Sequence, residues 1–442
     1  MIITLAIWWR TYLTDSIVRM PFDRLTIPDL PGIITQDEVL QTAHSIASVQ
    51  CKNGMIPWLD GGHSDPWNHV EAAMALAVTG MWEEATRAYE WLVSSQLPDG
   101  SWFNYYTDAA GVVDQRIDTN VCAYIAVGTW HHYLVTGDLG FLEWIWKVLD
   151  RAVAFVLRYQ TDNGTILWSV DPDGHSGRYA LLTGSSSIYH ALRCAIACAD
   201  TLGYDRRDWK AAARMLGRSL SNPDDGFEPK REFAMDWYYP ILCGALNGEA
   251  AVRRLDSDWD TFVMDGLGVR CVSTGPWVTA AETAECAIAL SKLAFGAADP
   301  TASSWTASSS TDGIGSTASS STDGIGSTAS SSTASSSTDS IGSTASSSTD
   351  GIGSTASNST DIADLTQSIS PTGSTNQFDK SARDLILWSR NLRREDGSYW
   401  TGMVYPEQVT FPIGESTTYT AAAIILAVDS LREGSPTNRV FF

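Results

Sequence analysis

Positive charge is scarce in this chain. Against 51 Asp and Glu it carries 29 Lys and Arg, a net charge of −22, so a polyanionic partner such as nucleic acid is repelled. Cysteine is sparse and unpatterned. Cys51, Cys122, Cys194, Cys198, Cys243, Cys271 and Cys286 are odd in number and lack paired-ligand spacing; this argues against a zinc knuckle or a disulfide framework and fits buried reduced thiols in a cytoplasmic protein. No apolar run approaches the roughly 20 residues of a membrane span. The apolar stretch Ile2 to Trp9 is followed by Arg10 and Asp15 and has neither a basic flank nor a small-residue cleavage site. It is therefore not read as a signal peptide, and residues 1–28 are expected to be a flexible extension. Strand-like alternation is scarce too.

Helical periodicity is abundant, and it comes in two sorts. Segments near 36–50, 82–96, 139–160, 206–220, 249–263 and 378–394 are amphipathic, with one charged face. Segments near 66–79, 118–135, 185–202, 236–247, 280–294 and 416–431 are apolar on nearly all sides. A helix apolar all round is buried, and one with a polar face lies outside. The two sorts alternate, outer then inner, six times. This pattern predicts an all-α (α/α)6 toroid, with hairpins one to five in residues 29–298, hairpin six in 378–432, and a tail at 433–442. Residues 299–377 interrupt it with Ser/Thr/Ala/Gly repeats of an eleven-residue unit, Thr306 to Ser316. Such a segment cannot bury enough apolar surface to offset its chain entropy and is expected to be a disordered insertion.

The outer-to-inner connections carry a recurring signature: Gln50, Gly54 and Trp58; Gln96, Gly100 and Trp102; Gln160, Gly164 and Trp168; then Gly397 and Trp400. Glycine is expected to supply the left-handed cap of each outer helix, and Trp to pack at the cavity rim. The opposite connections, such as Thr79-Gly80, are short and plain. The elaborate face, where inner helices begin, is therefore the expected site.

That face is rich in carboxylates and aromatic rings. Asp65 and Pro66 open the first inner helix as N-cap and first-turn residue, beside Trp58, His63, Trp67, Asn68 and His69. The second brings Asp118, Thr119 and Asn120; the third, Thr183, Ser185 and Ser186; the fourth, Asp236, Trp237, Tyr238 and Tyr239. The fifth brings Trp277, Glu282 and Glu285, and the sixth Glu415, Thr417, Thr418 and Tyr419. Capping accounts for Asp118 and Asp236 as readily as function does. It does not account for Glu282 and Glu285, which sit inside an apolar helix where an acid must be partnered or functional. Opposed carboxylates in an aromatic cleft suit glycoside hydrolysis: one acid protonates the leaving oxygen while a second carboxylate activates water or attacks the anomeric carbon. Trp and Tyr faces pack on sugar rings, and Asn, His and Asp hold hydroxyls.

The segments Ile56 to Glu71, Asp118-Thr119-Asn120, Leu182 to Ile188, Met235 to Pro240, Gly268 to Cys271, Pro276 to Glu282 and Asp396 to Gly402 resemble actinobacterial proteins often labelled prenyltransferase. These include mycobacterial endo-α-mannosidases acting on 3-O-methylmannose polysaccharide. The resemblance covers about residues 30–298 and 378–432, and the repeat insertion and N-terminal extension depart from it. It implies an (α/α)6 glycoside hydrolase with Asp65 and Glu282 as the catalytic pair. Such hydrolases mostly invert, with carboxyls about 6.5–9.5 Å apart. Asp65 is assigned as general acid and Glu282 as general base, and Asp65, Asp118 and Asp236 can exchange roles. Trp58, His63, Trp67, Asn68, His69, Asp118, Asn120, Asp236, Trp237, Tyr238, Trp277, Glu285 and Tyr419 are assigned to the oligo- or polysaccharide. Modest loop lengths favour an open cleft and endo cleavage.

No cofactor is expected. A metal at His63, Asp65 and His69 is disfavoured because their spacing does not present one face. A terpene cyclase or prenyltransferase would need an Asp-rich motif; Asp256, Asp258 and Asp260 come nearest, on a predicted outer helix. A polysaccharide lyase would want Arg near a uronate, and a non-catalytic sugar-binding protein would not need two deep carboxylates.

Overall fold

A computed structural model describes residues 26–171, 173–295 and 375–441. The expected disorder of 299–374 and the extension before residue 26 lie outside the described residues. The first hairpin pairs outer α1 (Gln36–Ser48) with inner α2 (Pro66–Val78). The second pairs outer α3 (Trp82–Ser95) with an inner helix in two pieces, α4 (Thr119–Ala123) and α5 (Ile125–Thr136). Outer α6 (Leu139–Leu157) and inner α7 (Leu182–Thr201) follow, then α8 (Arg207–Leu220) with α9 (Ala234–Leu242), and α10 (Gly248–Phe262) with α11 (Ala280–Phe295). Outer α12 (Thr375–Ser389) and inner α13 (Thr418–Ser430) complete the toroid. Each inner helix packs on the next, and α13 closes the ring against α2. Among the described residues no helix is long and apolar enough to cross a membrane.

The inner helices pack closely because they are rich in Ala, and Ala72, Ala73, Ala75, Ala77, Ala421, Ala422 and Ala423 are all essentially inaccessible. Their apolar character on every side follows from this position: neighbours in the ring cover two flanks and the outer helices a third.

Four expectations need correction. The inner helix foreseen over 118–135 breaks at Tyr124, between α4 and α5. Helix α12 begins at Thr375, inside the segment assigned to the insertion. Residues 433–442 do not trail away as a tail; α14 (Pro436–Phe441) is largely buried and closes the plain end of the ring. Its partners come from four inner helices. His131 bonds Thr437 at 3.1 Å and His190 meets the Val440 carbonyl at 2.9 Å. Lys292 donates to the Phe441 carbonyl at 2.7 Å, and the Thr437 amide donates to Asp429 at 3.0 Å.

The fourth correction concerns the glycines. The outer helices end before them, and each glycine sits in the following turn at positive φ: +95° at Gly54, +99° at Gly100, +92° at Gly164 and +86° at Gly397. Every one presses on the backbone of a neighbouring outer helix. A β-carbon would lie 2.1 Å from the Arg87 carbonyl oxygen at Gly54 and 2.2 Å from that of Arg151 at Gly100. At Gly164 it would lie 2.6 Å from the Met215 carbonyl oxygen, and at Gly397 2.7 Å from the Gln41 carbonyl carbon. The paired glutamines lock the same contact. Gln96 donates to the Gly100 and Val148 carbonyls at 3.0 and 2.9 Å, and Gln50 and Gln160 bond in the same way to their own glycine and next outer helix.

Strands, though scarce in the sequence, occur as short antiparallel pairs of two to four residues on the elaborate face. β1 (His63–Ser64), β2 (Tyr105–Thr107) and β3 (Gly111–Asp114) form one sheet, and β4 (Ile117–Asp118) pairs with β5 (Ser169–Val170). β6 (Val263–Met264), β7 (Gly268–Arg270), β8 (Trp277–Thr279), β9 (Gly402–Val404) and β10 (Val409–Thr410) form a five-stranded sheet that joins the loops entering α11 and α13.

Gly100→Ala is expected to destabilise the protein by about 3 kcal/mol or more, since it adds a backbone clash to left-handed strain. Gly174→Ala, at φ +84° but with open space around it, should cost only about 1 kcal/mol. Denaturant unfolding of the two variants checks the difference.

Candidate active site

Asp65 is the most heavily bonded group on the elaborate face. As N-cap of α2 it accepts from the amides of Trp67 and Asn68 at 2.9 and 3.0 Å, both onto Oδ1. Its Oδ2 accepts from the Trp58 indole at 2.7 Å and the Asn68 side chain at 2.6 Å. Buried to 5% exposure, this carboxylate is fixed by four donors. Around it lie Trp58, His63, Tyr105 and Tyr419. The Trp58 ring centroid is 4.4 Å from His63 and 5.1 Å from Tyr419, and His63 is 4.5 Å from Tyr105. His63 Nε2 is buried without a partner, a polar atom left for a ligand or water.

Asp118 stands beside this group as N-cap of α4, accepting from the amides of Asn120 at 2.7 Å and Val121 at 3.2 Å and from the Trp168 indole. Burial pushes its carboxyl up to about 6, and the Asp65 charge adds to the rise. The neighbouring Asn120 Oδ1 is buried and unpartnered.

Glu282, in the first turn of α11, is half-buried and takes a hydrogen bond from the Cys271 thiol; burial and the Glu282 charge both raise that thiol strongly. Tyr419 links this side to the other. Burial raises its phenol, and the charges of Glu282, Glu415 and Asp65 add to the effect, so both expected catalytic carboxylates act on one ring. Asp236, in the first turn of α9, accepts from Thr183 at 2.6 Å and is raised by burial. Trp277 lies on β8, its indole donating to the Phe411 carbonyl at 3.1 Å.

Five expected sugar contacts are bonded or stacked within the protein. His69 is sealed at 1% exposure between the Ile56 amide at 3.0 Å and the Ala88 carbonyl at 2.9 Å, and burial holds it down to about 4. Trp237 turns outward, donating to the Arg254 carbonyl at 2.8 Å and stacking on Phe262. Tyr238 is inaccessible and gives its hydroxyl to Glu285. Glu285 accepts a second hydroxyl from Tyr239 at 3.0 Å, so both its oxygens are bonded within the protein, below the mouth rather than in it. Trp67 stacks on Tyr124 with ring centroids 4.4 Å apart and reaches Ser187 at 3.4 Å.

The sequence reading passed over Glu71, Tyr105, Tyr124 and Cys271 as site residues. Glu71 is 4% exposed on α2, accepts from Tyr124 at 3.0 Å and has an unpartnered second oxygen. Its position in the otherwise apolar run 70–78 is the same anomaly that marks Glu285. The Asp-rich stretch Asp256 to Asp260 lies on outer α10, away from these groups, with Asp256 and Asp260 exposed.

No family model matches the sequence. The MMP endo-(1,4)-3-O-methyl-α-D-mannosidase of Mycolicibacterium hassiacum is 38% identical over 417 residues, which span 94% of this chain and 92% of that protein. Two solved glycosidase variants, one in complex with glucose, superpose with a TM-score of 0.55 at 12% identity, covering 89% of this chain and 96% of theirs. At that identity they speak for the fold alone, a six-hairpin toroid.

Trp58→Phe keeps the ring and removes one donor from Asp65. It is expected to cost about 1–2 kcal/mol of stability and about tenfold or more in kcat/KM. Thermal unfolding and turnover of the same preparation check both.

Proposed function

The chain belongs to the family of the MMP endo-(1,4)-3-O-methyl-α-D-mannosidase and is a glycoside hydrolase, and on that footing we propose that it cleaves internal α-1,4 bonds of a 3-O-methylated mannose polysaccharide. The observation that carries the reading is the pair Asp65 and Glu282, whose charges both act on Tyr419 in an aromatic mouth. Trp58, Tyr105 and Tyr419 supply ring faces for sugars, and His63, Asn68 and Asn120 supply polar atoms for hydroxyls.

The reaction needs one proton given and one removed. A protonated carboxyl passes its proton to the glycosidic oxygen as the bond from the anomeric carbon breaks. Water attacks that carbon from the opposite face and loses a proton to the ionised carboxylate, which leaves an inverted product. Glu282 is the base in this scheme, since it is half-buried and the Cys271 thiol is the donor that meets it. Asp65 is the acid by the family resemblance. A specific observation favours a second assignment: four donors already occupy Asp65, whereas Asp118 is raised to about 6. With Asp118 as the acid, the active form is the protonated one and kcat/KM falls as pH rises through about 6. The free thiols support a cytoplasmic location, and a net charge of −22 argues against nucleic acid as a partner.

Incubation with 3-O-methylmannose polysaccharide and with unmethylated α-1,4-manno-oligosaccharides, read by mass spectrometry, should give discrete short products. Glu282→Gln should lower turnover by about 100-fold or more while binding persists; full activity in that variant would overturn the assignment. Asp65→Asn and Asp118→Asn, compared on an aryl mannoside with a good leaving group, identify the acid. The variant that recovers activity there is the one that has lost the proton donor.

A further inference from the structure

Beneath the mouth, two inner helices bring a second pair of carboxyls, and two more bring the tyrosines that bond them. Glu71 lies six residues into the chain from Asp65, and Glu285 one helical turn below Glu282. Tyr124 from the break between α4 and α5 donates to Glu71 at 3.0 Å. Tyr238 and Tyr239 from α9 both donate to Glu285, the latter at 3.0 Å. The two carboxyls are 4% and 5% exposed, and each charge sits among groups of its own sign: Glu285 and Asp65 act on Glu71, and Glu282 acts on Glu285.

The hydrogen-bond inventory is one donor short. Four carboxyl oxygens face three tyrosine hydroxyls, and Glu71 Oε2 is left buried without a partner. Among the described residues no cation contributes to either carboxyl. Two buried carboxylates that feel each other's charge disfavour a doubly ionised state, whereas one added proton supplies the missing donor and removes one charge.

We propose that Glu71 and Glu285 hold a single proton between them, and that this singly charged pair is a positioning device for Asp65 and Glu282 above it. Burial pushes Glu285 up to about 8 and holds Glu71 well above the usual carboxylate range. The groups facing the pair are Asp65 from α2, Tyr124, Tyr238, Tyr239 and Cys243 from α9 and its end, and Glu282 and Cys286 from α11. From α13, Tyr419 senses Asp65 and Glu282. Coupling is reciprocal, so a second charge at this floor is felt by both carboxylates of the mouth.

The reading of Asp65 and Glu282 rests on the proposed hydrolysis, but the shared proton does not, and one experiment separates them. The folded chain keeps this proton up to about pH 8, while the unfolded chain releases it near 4.5. Stability should therefore fall as pH rises across that window, by about 5 °C in Tm. Glu285→Gln removes one of the two ionisable carboxyls and should flatten that slope; Glu71→Gln, its counterpart, should do the same. On the polysaccharide, Glu285→Gln should lower kcat about three- to tenfold with KM within about twofold. It should also abolish the loss of kcat expected of the wild type as pH rises above about 8. Unchanged Tm slopes in both variants would overturn the shared proton. An alkaline limb coincident with wild type would overturn the positioning role. If no variant and no wild type cuts the polysaccharide, the hydrolysis and positioning readings fail, while the thermal slopes still decide the proton.

Discussion

The contact on which the ring depends is the press of a positive-φ glycine against the backbone of a neighbouring outer helix. Gly54 meets Arg87, Gly100 meets Arg151, Gly164 meets Met215, and Gly397 returns to Gln41 on the first outer helix. A side chain of any size at these points would hold the hairpins apart. The glutamines that bond both the glycine carbonyl and the next helix turn a steric approach into a fixed register. Because that register is set outside, the Ala-rich inner helices can meet with little side-chain interlocking of their own. Their N-termini are thereby carried to one mouth.

Six helix starts at one mouth concentrate unpaired amides, and Asp65 and Asp118 each cap two of them. This constraint shapes the chemistry. A cap must accept hydrogen bonds, so a carboxylate that caps is held still, but its lone pairs are spent. Asp65 carries two side-chain donors in addition, while Glu282 lies inside the first turn and is only half-buried. The pair therefore divides into a rigid member and an accessible one, a difference imposed by the helix start before any substrate arrives.

The toroid was legible in the sequence because burial on every side and burial on one side leave different patterns, and these alternate. The strands were not, since two to four residues are too few for a period; they arise where loops from neighbouring hairpins are forced side by side. Helix α14 escaped because a six-residue segment has no periodicity to read. At the site, capping made Asp65 and Asp118 visible, and an acid within an apolar helix made Glu282 and Glu285 visible. The same argument applied to Glu71 and was not used there. The run Asp236 to Tyr239 misled for a geometric reason: successive residues turn about 100° around a helix, so these four cannot share one face. Asp236 meets Thr183, Tyr238 and Tyr239 meet Glu285, and Trp237 points to the outer helix.

The two ends of the ring are built on opposite electrostatic terms. At the plain end α14 fills the opening, and His131 and His190 are held neutral there by burial, both down to about 3. Lys292, lowered to about 7, spends its ammonium on the Phe441 carbonyl. At the other end acid is gathered in two tiers, and among the described residues no basic group contributes to the states of Asp118, Glu71 and Glu285. A cation beside them would favour the anionic form of all three. Burial with no cation beside it favours the protonated form of a carboxyl, and a protonated carboxyl is what cleavage of a glycosidic bond needs to protonate the leaving oxygen.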